Sequence, residues 1–230
     1  MKGILVTGTD TGVGKTVIAG LLAKYMLEKG HNVITQKWIQ TGCSDFVSSD
    51  AGLHLKIMGR EKKDIKDYLR HILPYKFRAA SSPHLACLIE NRRISADKVI
   101  KSFRILSKRF DLVIVEGTGG VLVPCGKKKL LIDIAKELGL AALIVAQNRL
   151  GAINHTLLTI EALRKRRIKI LGIIFNNPEK ENRIILKDNP VIVKALSGEK
   201  IFGVLTRENQ LDKLYLEFTP IGERIRKAIL

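Results

Sequence analysis

Two rhythms of apolar and polar positions alternate along this chain. Short runs rich in β-branched residues give way to longer segments whose apolar residues recur every three to four positions. The first run, Ile4-Leu5-Val6, ends at Thr7 in a turn built on Gly8, Gly12 and Gly14. Residues 17–29 then read as a helix, with Ile18, Leu21, Leu22, Tyr25 and Met26 on one face and Gly30 as its stop. A second strand is expected over residues 32–39. After Ser48-Ser49-Asp50, where serine or aspartate is an ordinary cap, a helical run extends to Gly59. Residues 60–80 look charged and irregular. Pro83 suits the first turn of a helix over 84–91, and Ser95 caps another over 96–108.

The apolar strand at 111–115 leads into Glu116-Gly117-Thr118-Gly119-Gly120. A helix at 130–138 and a strand at 141–146 follow. Arg149 through His155 open a helix ending near Arg164, and a strand at 168–176 finishes in Asn176-Asn177-Pro178. Short helices, a last strand at 200–205 and a C-terminal helix from about Pro220 complete the pattern. Strands alternating with helices, without hairpin signals, predict an α/β fold: a doubly wound, mostly parallel sheet covered on both faces, in one domain over residues 1–230.

Composition narrows the setting. At 230 residues and 46% hydrophobic content the chain can bury one full core. It has no run long enough to span a membrane and enters a strand too early for a signal peptide. Cys43, Cys87 and Cys125 fit neither a disulfide framework nor a zinc pattern. A cytoplasmic setting without membrane partners is therefore expected. The 40 Lys and Arg against 22 Asp and Glu, a formal charge of +18, raise the question of nucleic acid. The cations, however, are scattered at 60–63, 127–129 and 164–167, mostly at helix ends and in loops, where the dipole favours them. Aromatics are 5% of the chain and do not interleave with the basic residues, so no nucleic-acid partner is expected.

The candidate chemistry gathers at strand ends. A strand, a glycine loop and then Lys15-Thr16 at a helix start form a phosphate cradle: backbone N–H groups and the helix dipole face the anion. Lys15 reaches the β- and γ-phosphates and Thr16 ligates Mg²⁺. The first glycine is Gly8, one position earlier than the common spacing, so the loop is an extended variant. Lys37, at the end of the second strand, reads either as a solvated terminus or as a site cation. Asp50 reads as a cap. Glu116, ending a buried strand before a glycine cluster, is placed to hold Mg²⁺ opposite Thr16. Together these residues indicate a nucleotide-dependent phosphoryl-transfer or ligase enzyme.

Gly8-Thr9-Asp10-Thr11-Gly12-Val13-Gly14-Lys15-Thr16 resembles the extended phosphate loop of the dethiobiotin synthetase family. Lys37 with Thr41-Gly42, Ser49-Asp50, Ser82-Pro83-His84, Glu116 through Gly120, Leu150 through His155, and Asn176 are similar to further family motifs in the same order. The resemblance implies ATP- and Mg²⁺-dependent closure of a ureido ring from 7,8-diaminopelargonic acid and CO₂. It assigns the phosphates to Gly12, Val13, Gly14, Lys15, Thr16 and Val17. The metal goes to Thr16, Asp50 and Glu116, with Gly117, Thr118 and Gly119 beside the nucleotide. Lys37 becomes the catalytic cation alongside Lys15, and Thr11 and Thr41 meet the diamine–carbamate end. Asn176 and Asn177 meet adenine. In a homodimer, Gly151, Ala152, Ile153 and Asn154 receive the substrate carboxylate across the two-fold axis. His84 is left open and His155 reads as structural.

Two positions depart from the family. Trp38 replaces a proline, which bears on the approach to Lys37. Gly203-Val204-Leu205-Thr206 replaces Gly-x-Ile-Pro, a change that backbone contacts from 206–208 can survive but that leaves room for a relaxed preference among nucleoside triphosphates. Two other readings share the fold. A cobyrinic-acid-type amidoligase needs a glutaminase domain for which this chain is too short. A partitioning or septum-placement ATPase, working by nucleotide-dependent dimerisation, carries a signature lysine where this loop has Thr9-Asp10-Thr11.

Overall fold

The protein is described by a computed structural model covering residues 2–47, 49–126 and 129–230. Ser48 of the expected cap and Lys127 and Lys128 of the expected basic run lie outside the described residues. The first half comprises β1 (Gly3–Gly8), α1 (Lys15–Glu28), β2 (Val33–Lys37), β3 (Ile39–Gln40) and α2 (Asp50–Met58). Then come α3 (Leu69–Ile72), β4 (Tyr75–Lys76), α4 (Pro83–Ile89) and α5 (Ala96–Arg109). The second half comprises β5 (Leu112–Gly120), α6 (Leu131–Glu137), β6 (Ala141–Gln147) and α7 (Ala152–Lys165). It closes with β7 (Ile170–Asn176), α8 (Arg183–Ser197), β8 (Ile201–Leu205) and α9 (Leu211–Ile229).

Among the described residues, six strands form one parallel sheet in the order β2-β5-β1-β6-β7-β8. Its central strands are apolar on both faces because helices cover both: Ile4, Val6, Val113, Ile114, Val115, Leu143, Ile144 and Val145 are fully buried. This is the doubly wound α/β architecture the alternating pattern predicts. The strand order turns around β1, and the C-terminal ends of β1, β5 and β2 open on one crevice, where such sheets take ligands.

Five local expectations are corrected. The strand at 32–39 breaks at Trp38 into β2 and β3, and β3 pairs with β4 in a separate two-stranded sheet. Residues 60–80 are not irregular: a 3₁₀ segment (Lys62–Tyr68) precedes α3 and β4. Ile65, Ile72, Tyr75 and Phe77, sparse among the charges, are buried and anchor that region. The strand ending at residue 115 continues through Glu116 to Gly120, placing Glu116 inside the sheet.

The short helices expected after Pro178 are one helix, α8, with Pro190 inside it. Proline removes an N–H and frees the carbonyl four residues back. That carbonyl, of Leu186, accepts instead from Asn148 Nδ2 at 2.9 Å. The C-terminal helix starts at Leu211 rather than near Pro220. Phe218, Ile221, Ile225 and Ile229 give it one buried face. Gly222 lets it approach α1, since a Cβ there would lie 2.8 Å from the Tyr25 ring. The apolar side of this helix is thus occupied by the protein's own core.

Candidate functional site

Parallel pairing of β2 with β5 sets Lys37 opposite Glu116 in register. The Lys37 ammonium lies 2.7 Å from Asp50 Oδ2, 2.9 Å from Glu116 Oε1 and 3.0 Å from the Gly117 carbonyl. Lys37 is therefore not a solvated strand end: its side chain is 4% exposed. Asp50 is free for this contact because Ser49, not Asp50, caps α2; Ser49 Oγ accepts from the Gly52 N–H at 3.1 Å. The Asp50 N–H is itself taken up by Gln40 Oε1 at 3.0 Å.

On the β1 side, Gly12 and Gly14 adopt positive φ (71° and 99°), a conformation that favours glycine. Gly14 also passes under Asn176, whose Nδ2 would lie 2.3 Å from any added Cβ. Lys15 donates to the Asp10 carbonyl at 2.7 Å, and Thr16 Oγ1 donates to Glu116 Oε1 at 2.9 Å. Glu116 Oε1 thus receives both Thr16 and Lys37.

Burial, and then the neighbouring Lys37 charge, lower Lys15 from 10.5 to about 8. Burial acts on Lys37 in the same sense, but the Glu116 and Asp50 carboxylates outweigh it and hold its pKa above the usual lysine value. Burial would raise Glu116, yet Lys37 and His54 reverse this and bring it to about 2.

These groups surround a cavity of about 430 Å³. Thr11, Gly12, Gly14, Lys15, Thr16 and Val17 line it from the phosphate loop. Lys37 and Asp50 line it from β2 and α2, Thr41 from the loop after β3, and Glu116, Thr118 and Gly119 from β5. The remaining expected residues sit behind or beyond it. Val13 is buried beneath the loop, its carbonyl accepting from Asn176 Nδ2 at 3.1 Å, and Gly117 turns its carbonyl to Lys37. Asn177 Oδ1 accepts from buried Asn148 at 2.8 Å. Gly151 (φ 87°) heads α7, with Ala152 buried, Ile153 half-buried and Asn154 exposed. Thr206 already donates its N–H to Glu217 at 2.9 Å. His84 is exposed and meets Ser82 Oγ at 3.0 Å; His155 is exposed on α7. Trp38 faces the core, donating to Gln36 Oε1 at 2.9 Å, and leaves the approach to Lys37 clear.

Sequence reasoning missed His54 and Gln40. His54 is fully buried, with Nε2 at 3.0 Å from Glu116 Oε2. The signal was available: it lies four residues after Asp50, on the same face of α2.

A family model described as an AAA domain matches residues 2–214. The ATP-dependent dethiobiotin synthetase BioD of Chlorobaculum tepidum is 42% identical over 199 residues, 85% of this chain and 82% of that protein. Its counterpart in Thermodesulfovibrio yellowstonii is 36% identical over 222 residues, 92% of this chain and 91% of its own length. This chain belongs to the dethiobiotin synthetase family. It is accordingly an ATP-dependent ligase. The Pyrococcus furiosus cell division ATPase MinD superposes at a TM-score of 0.59, with 16% identity and 99% of each chain covered. A plasmid partition protein of Borrelia burgdorferi superposes at 0.61, with 17% identity and 98% and 97% of the two chains covered. At that identity the likeness is one of fold alone. Among the described residues, no helix is long and apolar enough to cross a membrane.

Proposed function

We propose that this enzyme converts 7,8-diaminopelargonic acid, CO₂ and ATP into dethiobiotin, ADP and phosphate. One observation carries the mechanism: two buried lysines, Lys15 at the start of α1 and Lys37 at the end of β2, converge on one cavity that also holds two carboxylates. Phosphoryl transfer asks a protein mainly to align nucleophile and phosphate and to place charge around them. A second cation beyond the phosphate-loop lysine suits an acceptor that is itself an anion, as a carbamate is.

In this reading one substrate amine takes up CO₂ as a carbamate, whose oxygen attacks the γ-phosphorus as ADP leaves. The second amine then attacks the carbonyl carbon of the mixed anhydride, and phosphate departs as the ring closes. The N–H groups of residues 12–17 and Lys15 hold the phosphates, while Thr118 and Gly119 flank them. Lys37, drawn away from Asp50 and Glu116, balances charge between carbamate and γ-phosphate. Thr11 and Thr41 orient the diamine end, and Asn176 and Asn177 meet the adenine. The start of α7, from Gly151 to Asn154, receives the substrate carboxylate from the partner's site in a homodimer; a helix N-terminus favours that charge.

Thr16 Oγ1, Glu116 and Asp50 form an all-oxygen set suited to Mg²⁺, and the 2.9 Å Thr16–Glu116 contact brings two of its donors together. Among the described residues no cluster of three or more His, Cys, Asp or Glu could hold a metal. Phosphate oxygens and water must therefore complete the shell, as is usual for this ion. When bound, Mg²⁺ would neutralise charge on the β- and γ-phosphates.

The test is incubation with the diamine, carbon-labelled bicarbonate, Mg²⁺ and ATP. A product of ureido mass carrying the label, with ADP and phosphate in equal amounts, is expected. ATP hydrolysis with no label entering product would overturn the reading.

A further inference from the structure

His54 is an unusual choice for its place. It is fully buried, and neither ring nitrogen makes an aligned hydrogen bond among the described residues, although leucine or methionine would satisfy the same helix face. The polar atom it meets is Glu116 Oε2, 3.0 Å from Nε2, and that oxygen also lacks an aligned donor. The other oxygen of the same carboxylate is fully engaged, by Thr16 at 2.9 Å and Lys37 at 2.9 Å. Glu116 is thus gripped on its cavity side and met at contact distance, without alignment, on its core side.

We infer that His54 is a positioning residue that fixes the rotation of the Glu116 carboxylate, so that Oε1 stays aimed at Thr16 when nucleotide and Mg²⁺ enter. This rests on the metal reading above. A carboxylate swings easily about its last bond, and when Lys37 is drawn toward the incoming phosphates Glu116 loses one of the donors that hold it. The imidazole is then the neighbour able to keep Oε2 to the rear. A close contact that is misaligned before ligand binding and tightens afterwards is common in reaction sites. Asp50 and His54, one turn apart on α2, make that helix the support for both carboxylates: Asp50 contributes one directly, and His54 steadies the other. Partners that orient metal ligands from behind commonly change metal affinity by about 10–100-fold when removed.

The test is equilibrium binding of ATP to the full chain, once with chelator and once with Mg²⁺, for wild type, His54→Leu and His54→Gln. His54→Leu is expected to bind metal-free ATP within about twofold of wild type while losing at least about tenfold of the Mg²⁺ enhancement. His54→Gln, which keeps an N–H donor near the Nε2 position, is expected to recover most of that loss. A merely structural histidine would instead move both affinities together. If His54→Leu does not fold, His54→Gln decides: near-normal Mg²⁺ enhancement supports the inference, and a tenfold loss overturns it. A folded His54→Leu with full Mg²⁺ enhancement overturns it, as does a wild type with none. No diamine is present in this assay, so a wild type that fails to make ureido product would sink the proposed reaction and leave this comparison standing.

Discussion

Lys15 and Lys37 share one crevice and are buried to nearly the same extent, 6% and 3% exposed, yet their acidities move in opposite directions. Lys15 falls to about 8, and Lys37 rises above the ordinary lysine value. Burial alone cannot separate them. The difference is where the counter-charge comes from. Lys37 is supplied internally, by Glu116 and Asp50 at 2.9 and 2.7 Å. Lys15 has the dipole of the Asp10 carbonyl at 2.7 Å and, among the described residues, no carboxylate paired with it. One lysine is neutralised by the protein; the other is left for a ligand to neutralise. Under the proposed reaction, in which a polyphosphate binds before one phosphoryl group is transferred, that division would give recruitment to Lys15 and reaction to Lys37.

Substituting each lysine is the strongest way to break this comparison. Lys37→Ala is expected to lower single-turnover phosphate release by at least about a thousandfold while ATP affinity changes less than about threefold. It should also destabilise the fold by about 3–5 kcal/mol, because Glu116 is left buried without its partner. Lys15→Ala is expected to do the reverse: ATP affinity falls about a hundredfold, and the nucleotide-free protein is not destabilised at neutral pH. Calorimetric titration and thermal melting of both variants check this pair. Equal loss of ATP affinity in the two would erase the distinction.

A smaller effect lies in acid. Glu116 titrates near 2 in the folded protein against 4.5 ordinarily, so the unfolded chain binds more protons between those values. Its stabilisation is complete above pH 4.5 and is lost as pH falls toward 2. Denaturant melts through that window should show stability falling with pH in wild type and a flatter slope in Glu116→Gln. Equal slopes would remove Glu116 as the group responsible.

How much of this was legible beforehand depends on the range of the interaction. The phosphate loop is local: glycines, Lys15 and Thr16 lie within one turn, and their spacing predicts their role. The parallel sheet follows from apolar runs such as 112–115 and 141–146. The Lys37–Glu116 pair is a register contact between strands far apart in sequence; strand-end reasoning gathered both residues at one crevice, but neither spacing nor the family resemblance supplied their direct contact. Asp50 read as a cap because Ser49 and Asp50 are equally good caps by type, and the structure gives that task to Ser49. His54 carried one signal, its place one turn after Asp50 on α2, but what it meets emerged only once Glu116 was seen to lie opposite. The two late helices were misread for one reason. Pro190 and Pro220 look like boundaries, but tertiary contacts outweigh them, with Asn148 satisfying the carbonyl that Pro190 releases.

The most direct measurement is a lysine side-chain NMR titration of the nucleotide-free protein, repeated with a non-hydrolysable ATP analogue. Between about 8 and 10.5 the unfolded chain binds more protons at Lys15 than the folded one. The burial cost on folding is therefore in force below pH 8 and lifts as pH rises toward 10.5. Without nucleotide, Lys15 is expected to titrate near pH 8 and Lys37 above the usual lysine range; with nucleotide, Lys15 should rise by more than a unit as phosphate supplies its missing anion. A Lys15 that titrates like a surface lysine in the free protein, or that does not move when nucleotide binds, would contradict the division of labour between the two lysines.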